Sequence, residues 1–205
     1  MTTAAPFRIE KAAEAEFPTR FGRFRICGFR AHYPGRIEEA AVLLMGDLCK
    51  DPPPLVRIHS QCLTGDVFHS LRCDCRSQLE LSMKQIVGEE RGVLIYEMQE
   101  GRGIGLINKL RAYELQDEGA DTVEANQALG FEADLRNYAV PGAILRHLGL
   151  SKVRLLSNNP EKIDALEKAG VKVVERIPCL APPLQSTEEY LRTKKEKLGH
   201  LLEGF

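Results

Sequence analysis

An α/β fold in a single domain is what the 205-residue sequence predicts, on three observations. Leu79, Met83, Ile86 and Val87 recur with helical spacing and lead into the run Gly92–Met98, apolar except for Glu97, a helix followed by a buried strand. That run ends in Gln99–Gly105, with three glycines, after which Leu106–Glu118 resumes helical spacing through Leu106, Leu110, Tyr113 and Leu115. A further short strand, Val153–Ser157, is followed by a helix and by Val171–Glu175, which completes a second such step.

Taken in order, the segment Phe17–Phe29 alternates apolar positions at Phe24 and Ile26 and predicts an early strand. Ala40–Met45 predicts a second. The three prolines of Lys50–Pro54 forbid helix and ladder donation, so this is a stiff loop, and Leu55–His59 leads out of it. Asp121–Tyr138 is polar for an interior segment. It places Asp134 and Arg136 two apart, on one face if extended, which by itself reads as a surface ion pair of little weight. Asn158–Asn159–Pro160 supplies a helix cap and a proline near the first helical position. The helix Glu161–Ala169 then stops at Gly170. Ser157 and Lys162 fall where phosphates commonly bind, at a strand end and a helix start, although a cap and a solvated lysine explain them equally well. Ser186 and Glu189 form a capping box for a basic helix through His200 with a solvated outer face.

The chemistry concentrates between His59 and Gln78, where three of the six cysteines fall within fourteen residues. Only Asp74 separates Cys73 from Cys75, and Cys62 precedes Cys73 by eleven positions across a Thr-Gly-Asp turn, so one chain reversal gathers three thiols. Catalytic zinc sites keep three protein ligands and leave a position for water, whereas structural ones close with four. His59 or His69 as a fourth ligand is therefore the competing, structural reading. A disulfide is disfavoured in a reducing compartment. The glycine-rich stretch can bring backbone amides to a phosphate, with Arg102 adding charge. It matches neither common nucleotide fingerprint, and a tight turn also accounts for its glycines.

The formal charge of −1 provides no overall field for a nucleic acid polymer, so any phosphate must be met by locally placed Arg and Lys. The first thirty residues carry charges throughout, and no stretch approaches a membrane span. The cytoplasm is the expected compartment. With 43% hydrophobic residues the chain has enough apolar material for a sizeable core, and it shows no internal repeat.

Read together, these motifs resemble the GTP cyclohydrolase II family of riboflavin synthesis. The resemblance rests on Arg57–His59–Ser60, the run Cys62–Asp66, Leu71–Cys75, Gln78–Glu80, Gln99–Leu106 and Leu155–Pro160, in the family's order and over nearly the whole chain. It implies one cyclohydrolase II-like domain over residues 1–205, core about 17–201, with a mixed sheet, flanking helices and no butanone-phosphate synthase domain. It implies one Zn2+ per subunit on Cys62, Cys73 and Cys75, and Mg2+ travelling with the triphosphate. GTP would meet Arg57, Ile58, His59, Ser60, Gln61, Gln78, Glu100, Gly101, Arg102, Thr122, Ser157 and Lys162. Asp134 as acid/base and Arg136 as nucleophile, or as a cation that stabilises the phosphoryl group without bonding to it, would act at the α-phosphate and Tyr113 at the guanine C8, in a homodimer that releases formate and pyrophosphate. The sequence departs from the family's usual pattern at Gln61, His69 and Arg76, none of which removes a matched metal ligand or catalytic residue.

Two other functions are weighed. A GTP-binding paralogue that is silent, or stops at a ring-opened formyl product or at pyrophosphate release, would be expected to lose Asp134, Arg136 or Tyr113, and all three are present. A zinc nucleobase deaminase needs Pro-Cys-x-x-Cys and His-x-Glu, which are absent from this sequence.

Overall fold

The computed structural model describes residues 7–180 together with 192, 193, 195–197, 199, 201 and 202. The capping box at Ser186 and Glu189 lies outside the described residues; of the basic helix that follows it, 192, 193 and 195–197 are helical.

Seven strands among the described residues make one sheet: β1 (Arg8–Pro18), β2 (Arg23–Tyr33), β3 (Arg36–Met45), β4 (Leu55–Ser60), β5 (Gly92–Glu97), β6 (Lys152–Leu156) and β7 (Lys172–Ile177). Their order across the sheet is β1-β2-β3-β5-β4-β6-β7. The first three form an antiparallel meander that joins β5 antiparallel, while β5, β4, β6 and β7 run parallel, so the sheet is mixed. Helices are α1 (Leu63–Asp66), α2 (Cys75–Gly88), α3 (Gly105–Asp117), α4 (Thr122–Ala128), α5 (Ala139–His147) and α6 (Pro160–Lys168), with a 3-10 turn at Glu100–Gly103 before α3.

The pleat sends alternate side chains to opposite faces, and both faces are covered. Val42, Leu44, Val56, Ile58, Val93 and Ile95 share one core with Ile144 and Leu145 of α5 and Leu166 of α6. Leu43, Leu55 and Leu94 share the other with Met83 and Ile86 of α2. Strands buried on both faces read as continuous apolar runs, which is why β5 was legible from sequence.

Three elements depart from the reading above. β1 starts at Arg8 and pairs with β2 along its length. Its alternating Ala13 and Ala15 are too small to register as an apolar stripe. The polar segment after Gly119 contains a helix, because Asp121 Oδ1 accepts from the Val123 and Glu124 amides at 2.7 and 3.0 Å while Glu124 Oε2 accepts from the Asp121 amide at 3.0 Å. And α5 forms across Pro141, which sits in the first turn, where an amide has no intrahelical acceptor to lose. In addition, α2 begins at Cys75, so the last thiol of the cluster sits at a helix N-terminus.

The carboxyl ends of β5, β4 and β6 lie side by side. Their outgoing loops carry Gln99–Glu100, Gln61–Cys62 and Ser157–Asn159, which places the cysteine cluster, the glycine-rich turn and the cap of α6 around one crevice, the usual ligand position in parallel sheets.

Candidate active site

Beyond β4, the single turn of α1 and the loop to α2 fold the three thiols onto one another. The Sγ atoms of Cys62, Cys73 and Cys75 all lie within 4.8 Å of each other, and those of Cys62 and Cys73 are 3.7 Å apart. Tetrahedral zinc–thiolate bonds of about 2.3 Å put sulfurs about 3.8 Å apart, so the donor set fits such an ion. The space is shaped for it as well. A Cβ on Gly65 would lie 2.8 Å from Cys73 Sγ and 3.1 Å from Cys62 Sγ, so only glycine leaves the cradle open. Among the described residues no histidine joins the cluster. His59 is instead buried with its Nε2 3.1 Å from both oxygens of Asp66, which also accepts from Tyr96 Oη at 2.8 Å and from the Cys62 amide at 3.0 Å. This removes the reading in which His59 or His69 closes a four-ligand site.

Lys109, on the inner face of α3, donates to Cys62 Sγ at 3.1 Å and to Glu100 Oε1 at 2.7 Å. Hydrogen bonds from Cys73 and Cys75, with Lys109 behind them, hold Cys62 far below the usual thiol range. Donating to Cys62 in turn pushes Cys73 up to about 11. Burial opposes the charge on Lys109, but the Cys62 thiolate and the Glu100 carboxylate outweigh it and raise its pKa above that of an ordinary lysine. Glu100 also accepts from the Leu63 amide at 2.6 Å and the Gly101 amide at 2.9 Å, so it ties the thiol-bearing loop to the 3-10 turn.

The thiols form one wall of an open cavity of about 1080 Å3, including its mouth. Six cationic side chains line it, Arg57, Arg72, Arg102, Lys109, Arg136 and Lys162, against the single carboxylate of Glu100. A chain with a net charge of −1 has thus concentrated positive charge in one place. Arg57 is buried and held by the Leu156 carbonyl at 3.1 Å and Gln78 Oε1 at 2.7 Å. Lys162, also buried, donates to the Ile58 carbonyl at 2.8 Å. Burial first, then Arg57 and Arg136 nearby, hold its pKa well below the ordinary lysine value. Both Nη atoms of Arg102 are buried without a hydrogen-bond partner. Its backbone is left-handed, φ 60°, an uncommon conformation for a residue with a side chain.

On the far wall, Asp134 and Arg136 form a fork. Arg136 Nε donates to Asp134 Oδ1 at 2.8 Å, its Nη2 to Oδ2, and its amide to Oδ1 at 3.0 Å. Both side chains are 13% exposed, so this is not the surface ion pair that spacing alone suggested. Burial works against the Asp134 carboxylate, yet Arg136 keeps its pKa below the usual value.

Residues 10–178 match the model of the family described as GTP cyclohydrolase II. The chain is similar to a GTP cyclohydrolase-2 of Histophilus somni, 53% identical over 195 residues that cover 95% of this chain and 89% of that one. A GTP cyclohydrolase-2 of Haemophilus influenzae is 52% identical over 196 residues, covering 95% and 90%. This chain belongs to the GTP cyclohydrolase II family. It is also 54% identical to the riboflavin biosynthesis protein RibBA of Bacillus cytotoxicus, covering 95% of this chain and 48% of that longer one.

All but two of the predicted site residues of this family member line the one cavity. The exceptions are Asp134, which stands behind Arg136, and Ile58, whose side chain is in the core and whose carbonyl holds Lys162. Tyr113 Oη lies 3.2 Å from Thr64 Oγ1, which in turn is 3.7 Å from Cys62 Sγ, placing the phenol beside the thiols. Ser157 lines the cavity and its Oγ accepts from the Asn159 amide at 3.1 Å, while the cap of α6 is Asn159, whose Oδ1 accepts from the Glu161 amide at 2.9 Å. Of the departures from the family pattern, Gln61 lines the cavity, whereas His69 and Arg76 do not. Arg76 donates to Glu80 Oε1 and to the Asp66 carbonyl, both at 2.6 Å, and so braces α1 from outside.

Sequence reasoning missed Lys109, Gln116 and Asn126, all of which line the cavity. The first two had a signal: Lys109, Tyr113 and Gln116 recur at i, i+4 and i+7, a polar stripe on one face of a helix. Nothing comparable marks Asn126.

Proposed function

We propose that this chain hydrolyses GTP to 2,5-diamino-6-(5-phosphoribosylamino)pyrimidin-4(3H)-one, formate and pyrophosphate, the first committed step of riboflavin biosynthesis. The observation that carries the reading is the union, in one cation-lined cavity, of a three-thiol cradle and an arginine clamped by a carboxylate. Ring opening and loss of pyrophosphate need different groups on one nucleotide, and these are two such groups.

Cys62, Cys73 and Cys75 hold one zinc per subunit. Bound there, zinc supplies Lewis acidity and brings the pKa of a water near 7. Tyr113, beside the thiols, orients the guanine C8 side of the substrate. The unpartnered Arg102 guanidinium takes phosphate oxygens, the bidentate match for which its donors are shaped, and Arg57 and Lys162 add charge along the same wall. Mg2+ accompanies the triphosphate. Arg136 addresses the α-phosphate. Asp134 touches its Nε and Nη2 and is placed to receive a proton, but an ion pair favours the charged guanidinium. Arg136 therefore works first as a fixed cation on the phosphoryl group as pyrophosphate departs. The protein works as a homodimer, the commonest closed assembly, which light scattering reporting a monomer would refute.

Incubating the purified protein with GTP, Zn2+ and Mg2+ and identifying products by mass spectrometry beside a formate assay tests the reading. Formate, pyrophosphate and the diaminopyrimidine nucleotide are expected together. Pyrophosphate alone reduces the activity to phosphoanhydride cleavage, and intact GTP removes it. ATP should compete poorly, because buried groups that pair with guanine go unpaired against adenine.

A further inference from the structure

Arg136 needs a fixed position as much as it needs Asp134, and the Asp134–Tyr138 stretch that carries it lies in neither helix nor strand. What fixes it comes from the β5–α3 connection. The Arg102 carbonyl accepts from the Leu135 amide at 3.0 Å. One residue ahead of the 3-10 turn, Gln99 grips the same stretch from its other side: its Oε1 accepts from the Asn137 amide at 2.9 Å and its Nε2 donates to the Asn137 carbonyl at 2.8 Å. The second proton of Nε2 goes to Glu97 Oε1 at 2.8 Å. Both neighbours of Nε2 are acceptors and the neighbour of Oε1 is a donor, so the amide has only one consistent orientation and both its protons are used. Glu97 is itself buried at the end of β5. Gly103 lets the two stretches approach: a Cβ there would lie 3.1 Å from Leu135 Cβ and 3.2 Å from its carbonyl carbon.

We infer that Gln99 is a positioning residue for phosphate chemistry: through a two-point hydrogen-bonded clamp on the Asn137 backbone, anchored on Glu97, it sets where the Arg136 guanidinium stands. The inference rests on the proposed GTP hydrolysis. Because Gln99 clamps backbone rather than a ligand or a thiol, its removal falls on the rate of pyrophosphate release and not on zinc or on GTP affinity.

The test compares Gln99→Met, which keeps size and loses all three hydrogen bonds, with Gln99→Glu, which keeps the acceptor for the Asn137 amide and loses both donors. Wild type is measured in the same assays, so that a wild type inactive on GTP counts against the hydrolase reading and not against the clamp. Single-turnover pyrophosphate release should fall about 100-fold in Gln99→Met, the cost of a displacement of roughly 1 Å. GTP affinity by calorimetry, zinc content and thermal midpoint should stay near wild type, and Gln99→Glu should be impaired as well. With an active wild type, unchanged release in either folded variant overturns the inference. So does a loss of release that tracks loss of zinc or of GTP affinity, and so does failure of both variants to fold, since Gln99 would then serve the fold and not the site.

Discussion

Replacing Gly65 by alanine puts a methyl group into the cradle and leaves every proposed ligand and substrate contact in place. The added Cβ would lie 2.8 Å from Cys73 Sγ, 3.1 Å from Cys62 Sγ and 3.1 Å from Cys75 Cβ. Free thiols can rotate away from it, whereas sulfurs fixed on an ion cannot, so most of the cost falls on the metal-bound form. Overpacking of this kind costs about 1–3 kcal/mol, which corresponds to a zinc affinity weakened roughly 5- to 150-fold. Competition with a chromophoric chelator reads the affinity, and thermal unfolding of the metal-free protein reads the remainder. Gly88→Ala provides the control: a Cβ there meets nothing within 4 Å at the end of α2, so zinc affinity should not move. Wild-type zinc affinity in Gly65→Ala would refute the claim that these three thiols converge on an ion.

Three further perturbations separate the other groups. Arg102→Met removes two buried donors without protein partners, and since a hydrogen bond to a charged group is worth about 1.5–3 kcal/mol, GTP binding by calorimetry should weaken by at least tenfold with zinc retained. Unchanged affinity would remove Arg102 from the phosphate site. Asp134→Asn keeps the shape of the fork and loses its charge, so pyrophosphate release should drop on the order of 100-fold while GTP still binds; a wild-type rate would show that Arg136 does not need the carboxylate. Burial, partly offset by Lys162 and Arg136, pushes Glu97 up to about 7 from 4.5. The folded state then holds more protons than the unfolded chain between those values, so Glu97 contributes stability at low pH that is lost as pH rises to 7. Relative to Glu97→Gln, wild type should lose on the order of 3 kcal/mol between pH 4.5 and 7, read by denaturant unfolding of both proteins; parallel curves contradict the assignment.

The parallel half of the sheet was legible because strands covered on both faces are largely apolar, as Val93–Ile95 are and as Val153, Leu155 and Leu156 are around Arg154. The thiol cluster was legible because Cys73 and Cys75 are close in sequence as well as in space. What escaped reading acts through contacts that spacing does not encode. Pro141 and Gly142 look like breakers, yet the proline spends a position that has no hydrogen bond to lose. Asp121 and Glu124 carry a capping box inside a segment whose polarity had suggested something else. Lys109 reaches Cys62 across 47 positions, and Gln99 reaches Asn137 across 38. Glu100 was read as a contact for GTP, and three hydrogen-bond donors of the protein itself occupy its carboxylate. The Asp134–Arg136 pair was visible, but its burial was not, because burial depends on the turn that covers it.

The order of residues around the crevice also has a consequence in time. Cys62, Cys73 and Cys75 belong to the first half of the chain, and the proposed phosphate wall at Ser157 and Lys162 belongs to the second, with Lys162 following Cys62 by 100 residues. A ribosome adding about 5–20 residues per second covers that distance in roughly 5–20 s. For most of that interval all three thiols have been made and β6 has not. The three thiols that could hold a metal are therefore made before the chain that completes the cavity.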